Sequence, residues 1–167
     1  MRTLYVSIPN FWIAWARSRD RSLDGRPLAL TVAGRVRACS QEASLAGVQP
    51  DMPERVLTAR CPAAFVREME EEAPREAWQR LVAALGAFAP AVEAPEEGLA
   101  CLTVAGLERC YESELRLGLA IGQAVHEYLA LAGGIGIADG KFIAKAASLQ
   151  AYEGSIVVVP AGAERLF

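Results

Sequence analysis

Residues 134–151, GIGIADGKFIAKAASLQA, read as a strand, a tight turn and a helix. The glycines and Lys141 invite comparison with a phosphate-binding loop. That motif needs four residues between its first glycine and a Gly-Lys pair, followed by Ser or Thr on magnesium. Position 135 is isoleucine and position 142 is phenylalanine, so the motif is absent. A dinucleotide fingerprint fails as well, because Gly134, Gly136 and Gly140 have the wrong spacing. The start of the helix, with Lys141 and Lys145 one turn apart, admits either an anion or two surface lysines on a plain turn.

The flanking elements follow the same logic. Residues 113–134, SELRLGLAIGQAVHEYLALAGG, read as a helix with Leu117, Ile121, Val125 and Leu129 on one stripe, closed by Gly133 or Gly134. His126 lies beside that stripe and reads as a surface or packing histidine. PAVEA (90–94) and GLACLTV (98–104) read as a hairpin joined by the acidic turn PEEG. Pro74 suits the first turn of a helix with Glu70, Glu71 and Glu72 near its positive end. Trp78, Leu81, Val82, Leu85 and Phe88 then form its apolar face. SIVVVP (155–160) is a last strand, and AGAERLF (161–167) reads as the opening of a helix.

Nearer the N-terminus, TLYVSI (3–8), PLALTV (27–32), RVRACS (35–40) and AAFVRE (63–68) read as strands. Pro9 ends the first of them, and an aromatic stretch with Trp12 and Trp15 follows. QEASLAGV (41–48), stopped by Gly47, and ERVLTARC (54–61), closed by Pro62, read as short helices. This order describes an α+β protein: a ferredoxin-like, mostly antiparallel sheet with helices on one face. Residues 11–72 form a small insertion after a first strand in residues 1–10, and residues 73–167 complete the sheet.

The 167 residues suffice for one domain with a proper core, and 53% hydrophobic against 22% charged residues is globular composition. No apolar run reaches membrane-span length, and no signal-like segment opens the chain, so a cytoplasmic protein is expected. Cys39, Cys61, Cys101 and Cys110 are scattered and, with one histidine, form no zinc pattern; reduced thiols are expected. The net charge of −3 argues against avid nucleic-acid binding by this chain. Residues 1–67 nevertheless hold ten arginines against five carboxylates, so that part could face an anion. No Ser-His-Asp arrangement supports a hydrolase, and Glu96-Glu97 and Glu70 to Glu72 read as solvated clusters.

Taken together, the segments resemble the palm and fingers of a Y-family (translesion) DNA polymerase over almost the whole chain. VSIPNFWIA (6–14) is similar to the family's V-D-x-D-x-F-(Y/F)-A, and LDGRPLALTV (23–32) to its next strand. QEASLAGVQPDM (41–52) and ERVLTARCP (54–62) resemble the fingers segment Y-E-A-R-x-x-G-V-x-x-x-M and its following helix. EEGLACLT (96–103) takes the place of S-I-D-E-A-(Y/F)-L-D, and GIADGKFIAKAA (136–147) resembles G-I-(S/A)-x-N-K-x-x-A-K-x-A.

The departures fall on functional positions. The family's first-strand carboxylates match Ser7 and Pro9, and the hairpin's Asp-Glu pair matches Gly98 and Leu99. By the resemblance, those acids hold two divalent ions that activate the primer hydroxyl and neutralise the triphosphate. Magnesium prefers oxygen ligands in octahedral geometry, and of the four residues only serine brings a side-chain oxygen. No cofactor is therefore expected, the Mg2+ site being lost. The sugar-gate aromatic matches Trp12, and the fingers' triphosphate-binding Tyr and Arg match Gln41 and Ser44; the lysine of the last motif stays as Lys141. Arg35, Arg37 and Arg55, with Lys141 and Lys145, are candidates for residual phosphate contacts.

This pattern resembles the ImuB-like, catalytically inactive members of the family, and EEGLACLTVAGLERCY (96–111) resembles their hairpin and loop. The resemblance implies an accessory or adaptor protein in bacterial mutagenic repair, nucleoid-associated. Its partners would be DNA, a sliding clamp, a recombinase-like protein and a replicative-type polymerase. The family continues into a thumb and little finger, so this chain is expected to act as a palm-fingers fragment that binds DNA weakly. Two alternatives stay open. An active polymerase would use displaced acids among Glu93, Glu96, Glu97 and Asp139; an interaction module would have no business with DNA.

Overall fold

The computed structural model describes residues 1–151 and 154–163, leaving aside the side chains of Glu108 and Arg109. In chain order the elements are β1 (Arg2–Ser7), α1 (Phe11–Arg19), a 3-10 turn (Arg21–Leu23), β2 (Leu28–Val32), β3 (Arg35–Cys39), α2 (Gln41–Leu45), α3 (Glu54–Arg60), β4 (Phe65–Glu68), α4 (Glu72–Leu85), β5 (Val92–Glu96), β6 (Leu99–Thr103), α5 (Glu108–Tyr111), α6 (Glu114–Leu129), β7 (Gly134–Asp139), α7 (Lys141–Gln150) and β8 (Ile156–Val158). They divide into two compact units, Met1–Pro9 with Arg75–Phe167, and Asn10–Pro74. The helix expected from AGAERLF falls mostly on residues 164–167, outside those described.

The larger unit is built on a five-stranded sheet in the order β5-β6-β1-β7-β8. Its pairs are antiparallel except β7 with β8. β1 is central, and Thr3 to Ser7 are all buried, which accounts for its continuous run without charge. Through β1, α4, β5, β6, α6 and β7 the connectivity is the expected ferredoxin-like one.

The alternation in GIGI sorts the two faces of β7. On one, Ile135 approaches α6 closely enough that a Cβ on Gly122 would stand 3.4 Å from its Cδ1. On the other, α7 lies so near that a Cβ on Gly134 or Gly136 would stand 2.3 or 2.2 Å from a backbone oxygen of the helix. α7 thus covers the face opposite the Ile135 side, packing Ala144 and Ala147 against Tyr5, Cys101 and Ala138.

The helices follow their apolar faces. In α4, Trp78, Leu81 and Leu85 are buried while Val82 is half-buried; Phe88 is also half-buried but lies past the helix end. Leu117, Ile121, Val125 and Leu129 are the buried stripe of α6, whose N-cap Ser113 accepts from the Arg116 amide at 3.2 Å. Two boundaries depart from the sequence reading. α6 is closed by Ala130, not by Gly133 or Gly134: Ala130 takes a left-handed φ of 54° and donates its N–H to the His126 carbonyl. The glycines instead permit close backbone approach at β7. β5 also runs through Pro95 to Glu96, so the hairpin turn is Glu97-Gly98 alone, with Gly98 at φ 88°.

Arg2 at the start of β1 binds the Glu114 carboxylate through both Nε and Nη2 and lies 3.7 Å from Asp139. Its side chain is 12% exposed. Removing it leaves a partly buried carboxylate without its cation, so Arg2→Ala is expected to cost about 2 kcal/mol, below the ~3–5 kcal/mol of a fully buried pair. A shift in the urea midpoint at unchanged slope checks this.

The smaller unit holds a three-stranded sheet, β3-β2-β4, with β2 antiparallel to β3 and parallel to β4. Ala33 and Gly34, at φ 50° and 73°, make the two-residue hairpin turn between β2 and β3. Ser40 caps α2 and also accepts from the Leu28 amide at 3.0 Å. Ala29, Val36, Ala43, Val48, Leu57 and Cys61 form the core. α1 is an addition to the sequence reading. It has no acidic residue in its first turn and no polar stripe, so it lacks the usual signals of a helix start. It is entered through Asn10, which takes a left-handed φ of 50° and donates to the Cys39 carbonyl at 2.7 Å.

Candidate functional site

The candidate site is the C-terminal end of β1. Ser7 pairs with Leu99 of β6 in register, and the Ile8 amide donates to the Gly98 carbonyl at 2.7 Å. The hairpin therefore brings Ser7, Leu99 and Gly98 to one end of the sheet, next to Pro9. Ser7 is fully buried and Leu99 half-buried, while Pro9 is exposed. Ser7 Oγ donates to the Ser148 carbonyl at 2.8 Å. Together these side chains supply one hydroxyl, already committed, and no carboxylate.

Lys141 does not join this cluster. It follows Asp139, which pairs with Arg2 at the other end of β1. Its ammonium binds both oxygens of Glu93 at 2.7 and 2.6 Å. Glu93 shares a sheet row with Cys101 and Tyr5, two residues along β1 from Ser7, or roughly 7 Å at strand rise. The hydrogen bond to Glu93 raises the Lys141 pKa further. Burial pushes the Tyr5 phenol and the Cys101 thiol up, so both are neutral beside that pair. Lys145, one turn along α7, is half-buried.

Three of the four acids considered as displaced ligands are similarly committed. Glu93 holds Lys141, Glu97 accepts from Arg75 at 3.4 Å, and Asp139 faces Arg2 and the N-terminal amine. Glu96 lies across from Leu99 on the edge strand and is exposed. Among the described residues, no group of three or more His, Cys, Asp or Glu is placed to hold a metal ion. The donor set here does not fit a divalent cation of the kind the resemblance implies.

In the smaller unit, Trp12 is buried, with Arg37 stacked over its ring at 4.8 Å. Arg37 also binds Glu71 at 3.1 Å, and Arg35 binds Asp51 at 3.3 Å. Both arginines are exposed but have carboxylates beside them. Arg55, Gln41 and Ser44 are exposed on α3 and α2. Arg17 reaches Glu42 at 3.1 Å and Arg67 reaches Asp20 at 2.5 Å, so the arginine excess is partly neutralised within the unit. The four cysteines are free thiols, and His126 is exposed. No helix among the described residues is long and apolar enough to cross a membrane.

Sequence reasoning missed Ser148 and the pairing of Lys141 with Glu93, an acid it had considered only as a displaced metal ligand. The first had a signal: two glycines two apart in a strand mark close backbone approach, here by the helix that carries Ser148. The second had none, since a Glu–Lys pair 48 residues apart leaves no local pattern.

An α+β palm with a small strand-and-helix insertion is the architecture these residues build. A profile of the IMS (impB/mucB/samB) family matches residues 6–149, and the chain belongs to that family, that of the Y-family DNA polymerases. It is 30% identical over 172 aligned positions to DNA polymerase IV of Dehalococcoides mccartyi, covering 99% of this chain and 44% of that protein. It is also 30% identical over 161 positions to DNA polymerase IV 2 of Mesorhizobium japonicum, covering 96% of this chain and 39% of the relative. The chain thus spans less than half the length of these relatives. The crystal structure of DinB from Sulfolobus solfataricus superimposes with a TM-score of 0.81 at 22% identity, covering 98% of this chain and 49% of that one. An insertion ternary complex of Dbh DNA polymerase gives 0.77 at 21%, covering 96% and 49%.

Proposed function

We propose that the protein is a non-catalytic member of the family, acting as an accessory or adaptor protein in DNA damage tolerance and translesion synthesis. The observation that carries this reading is the convergence of Ser7, Pro9, Gly98 and Leu99 at one end of the β1–β6 pair. By the resemblance these positions hold the metal-binding acids, and here they supply a single hydroxyl already bonded to a backbone carbonyl. No Mg2+ site is retained in this reading. The replacement of the triphosphate-gripping residues by Gln41 and Ser44, together with the pairing of Lys141 to Glu93, points the same way.

The role proposed for the whole protein is to hold DNA through its backbone, which this part alone would bind weakly, and to bring other proteins to it, in the bacterial cytoplasm at the nucleoid. A sliding clamp, a recombinase-like protein and a replicative-type polymerase are the proposed partners, from the resemblance to the ImuB-like group. Arg55, exposed on α3, and Lys145 are the cations proposed for residual phosphate contact. Arg35, Arg37 and Lys141 would first have to leave Asp51, Glu71 and Glu93.

A second reading is favoured by the names of the relatives, which are DNA polymerases. It makes this chain part of an active enzyme with displaced ligands. The ion pairs of Glu93, Glu97 and Asp139 weigh against it, since each acid would have to exchange a cation for a metal. Primer extension by the full-length protein separates the two readings. A protein with no salt-dependent affinity for primer-template DNA would instead be a module unrelated to DNA.

A further inference from the structure

We infer that Ser7 is the side chain that seats the last turn of α7 on the sheet, so that this end of β1 requires a hydrogen-bond donor and rejects the carboxylate a metal site would need. The inference rests on the reading of Ser7 as a position where the family carries a metal-binding acid. It goes further by giving the replaced residue a task of its own.

The last four carbonyls of any α-helix lack partners within it. In α7 the Ala147 carbonyl takes the Ala151 amide at 3.0 Å. The next carbonyl, that of Ser148, takes the Ser7 hydroxyl at 2.8 Å. Ser7 is 0% and Ser148 1% exposed, so this bond is shielded from water. Gly134 stands across from Ser7 in register, and a Cβ there would lie 2.3 Å from the same Ser148 oxygen. That oxygen is therefore held in a notch with the bare backbone of β7 on one side and the Ser7 hydroxyl on the other. The Ser148 hydroxyl is turned away and donates to the Lys145 carbonyl at 2.8 Å.

An ionised aspartate only accepts hydrogen bonds. At position 7 it would meet the Ser148 carbonyl, another acceptor, where serine now offers a proton. The close approach that Gly134 and Gly136 permit leaves α7 little room to withdraw without giving up its packing on Tyr5, Cys101 and Ala138. Serine is small enough for the notch and carries the donor the carbonyl needs. Alanine would fit equally well and leave the carbonyl without its partner.

The test compares Ser7→Ala and Ser7→Asp in the whole protein by urea unfolding and by amide exchange, with and without millimolar Mn2+. Ser7→Ala is expected to fold, to raise the unfolding equilibrium constant about tenfold, and to speed exchange at the amides of residues 147–151 while sparing those of β6. Ser7→Asp is expected to be less stable than Ser7→Ala and to gain nothing from Mn2+; failure of this variant to fold agrees with the inference. Unchanged exchange at residues 147–151 in Ser7→Ala overturns it, as does a Ser7→Asp protein as stable as Ser7→Ala or one that Mn2+ stabilises. Mn2+ stabilisation of the unaltered protein would instead remove the reading of a vacated metal site, while the Ser7→Ala result would stand by itself.

Discussion

Gly136→Ala is expected to cost roughly 3 kcal/mol or more, at or beyond the upper end for overpacking of a core. A Cβ at this position would stand 2.2 Å from the Ala144 carbonyl oxygen and 2.3 Å from the Ser148 amide nitrogen. Both atoms belong to the backbone of α7, so no side-chain rotation relieves the clash. The helix would have to lift from β7, taking Ala144 and Ala147 away from Tyr5, Cys101 and Ala138. Gly122→Ala is the matched control, because its Cβ meets only the flexible end of Ile135 at 3.4 Å. Urea titrations of the two variants check the contrast. A Gly136→Ala protein within about 1 kcal/mol of the unaltered one would show that α7 sits farther from the sheet than described.

The double variant Ser7→Asp/Pro9→Asp is expected to add no nucleotide to a primer, even in preparations whose folded fraction has been verified by circular dichroism. Two-metal catalysis needs ligands on both sides of the reacting phosphate. The variant would place acids on β1 only. Leu99, which faces Ser7 across the strand pair, and Gly98, which accepts from the Ile8 amide, would still offer no carboxylate. Gln41 and Ser44 would remain where the resemblance places triphosphate ligands, and Lys141 would remain on Glu93. Detectable templated addition in a primer-extension gel would mean that the loss at these positions is overstated.

The palm was legible in the sequence because its elements have strong local signals. The buried stripe of α6, the Pro74 start of α4 and the strand–turn–helix at residues 134–151 all appear where periodicity places them. α1 was not legible, because Phe11, Trp12 and Ile13 bury a continuous patch instead of alternating at helical spacing. The end of α6 was misread for a related reason. Glycine is the usual left-handed cap, yet Ala130 adopts that conformation and the glycines serve packing instead.

The candidate site was legible in part. The hairpin register that joins Ser7 to Leu99 follows from strand pairing, so the four positions that the resemblance marks could be expected together. Lys141 could not be placed from its motif. The motif fixes it at the start of a helix but says nothing of Glu93, which is distant in sequence and adjacent in the folded sheet. The same holds for Arg35 and Arg37, whose carboxylate partners come from elsewhere in the chain. Exposed charge read along a sequence overstates what is available to a nucleic acid, because neighbouring carboxylates satisfy much of it.

The central claim is that the family's scaffold persists here without its metal chemistry. The most direct test is primer extension by the full-length protein on a primer-template with all four dNTPs and Mg2+. The account predicts an unextended primer at every time point and enzyme concentration. Templated, magnesium-dependent extension by that protein would contradict it.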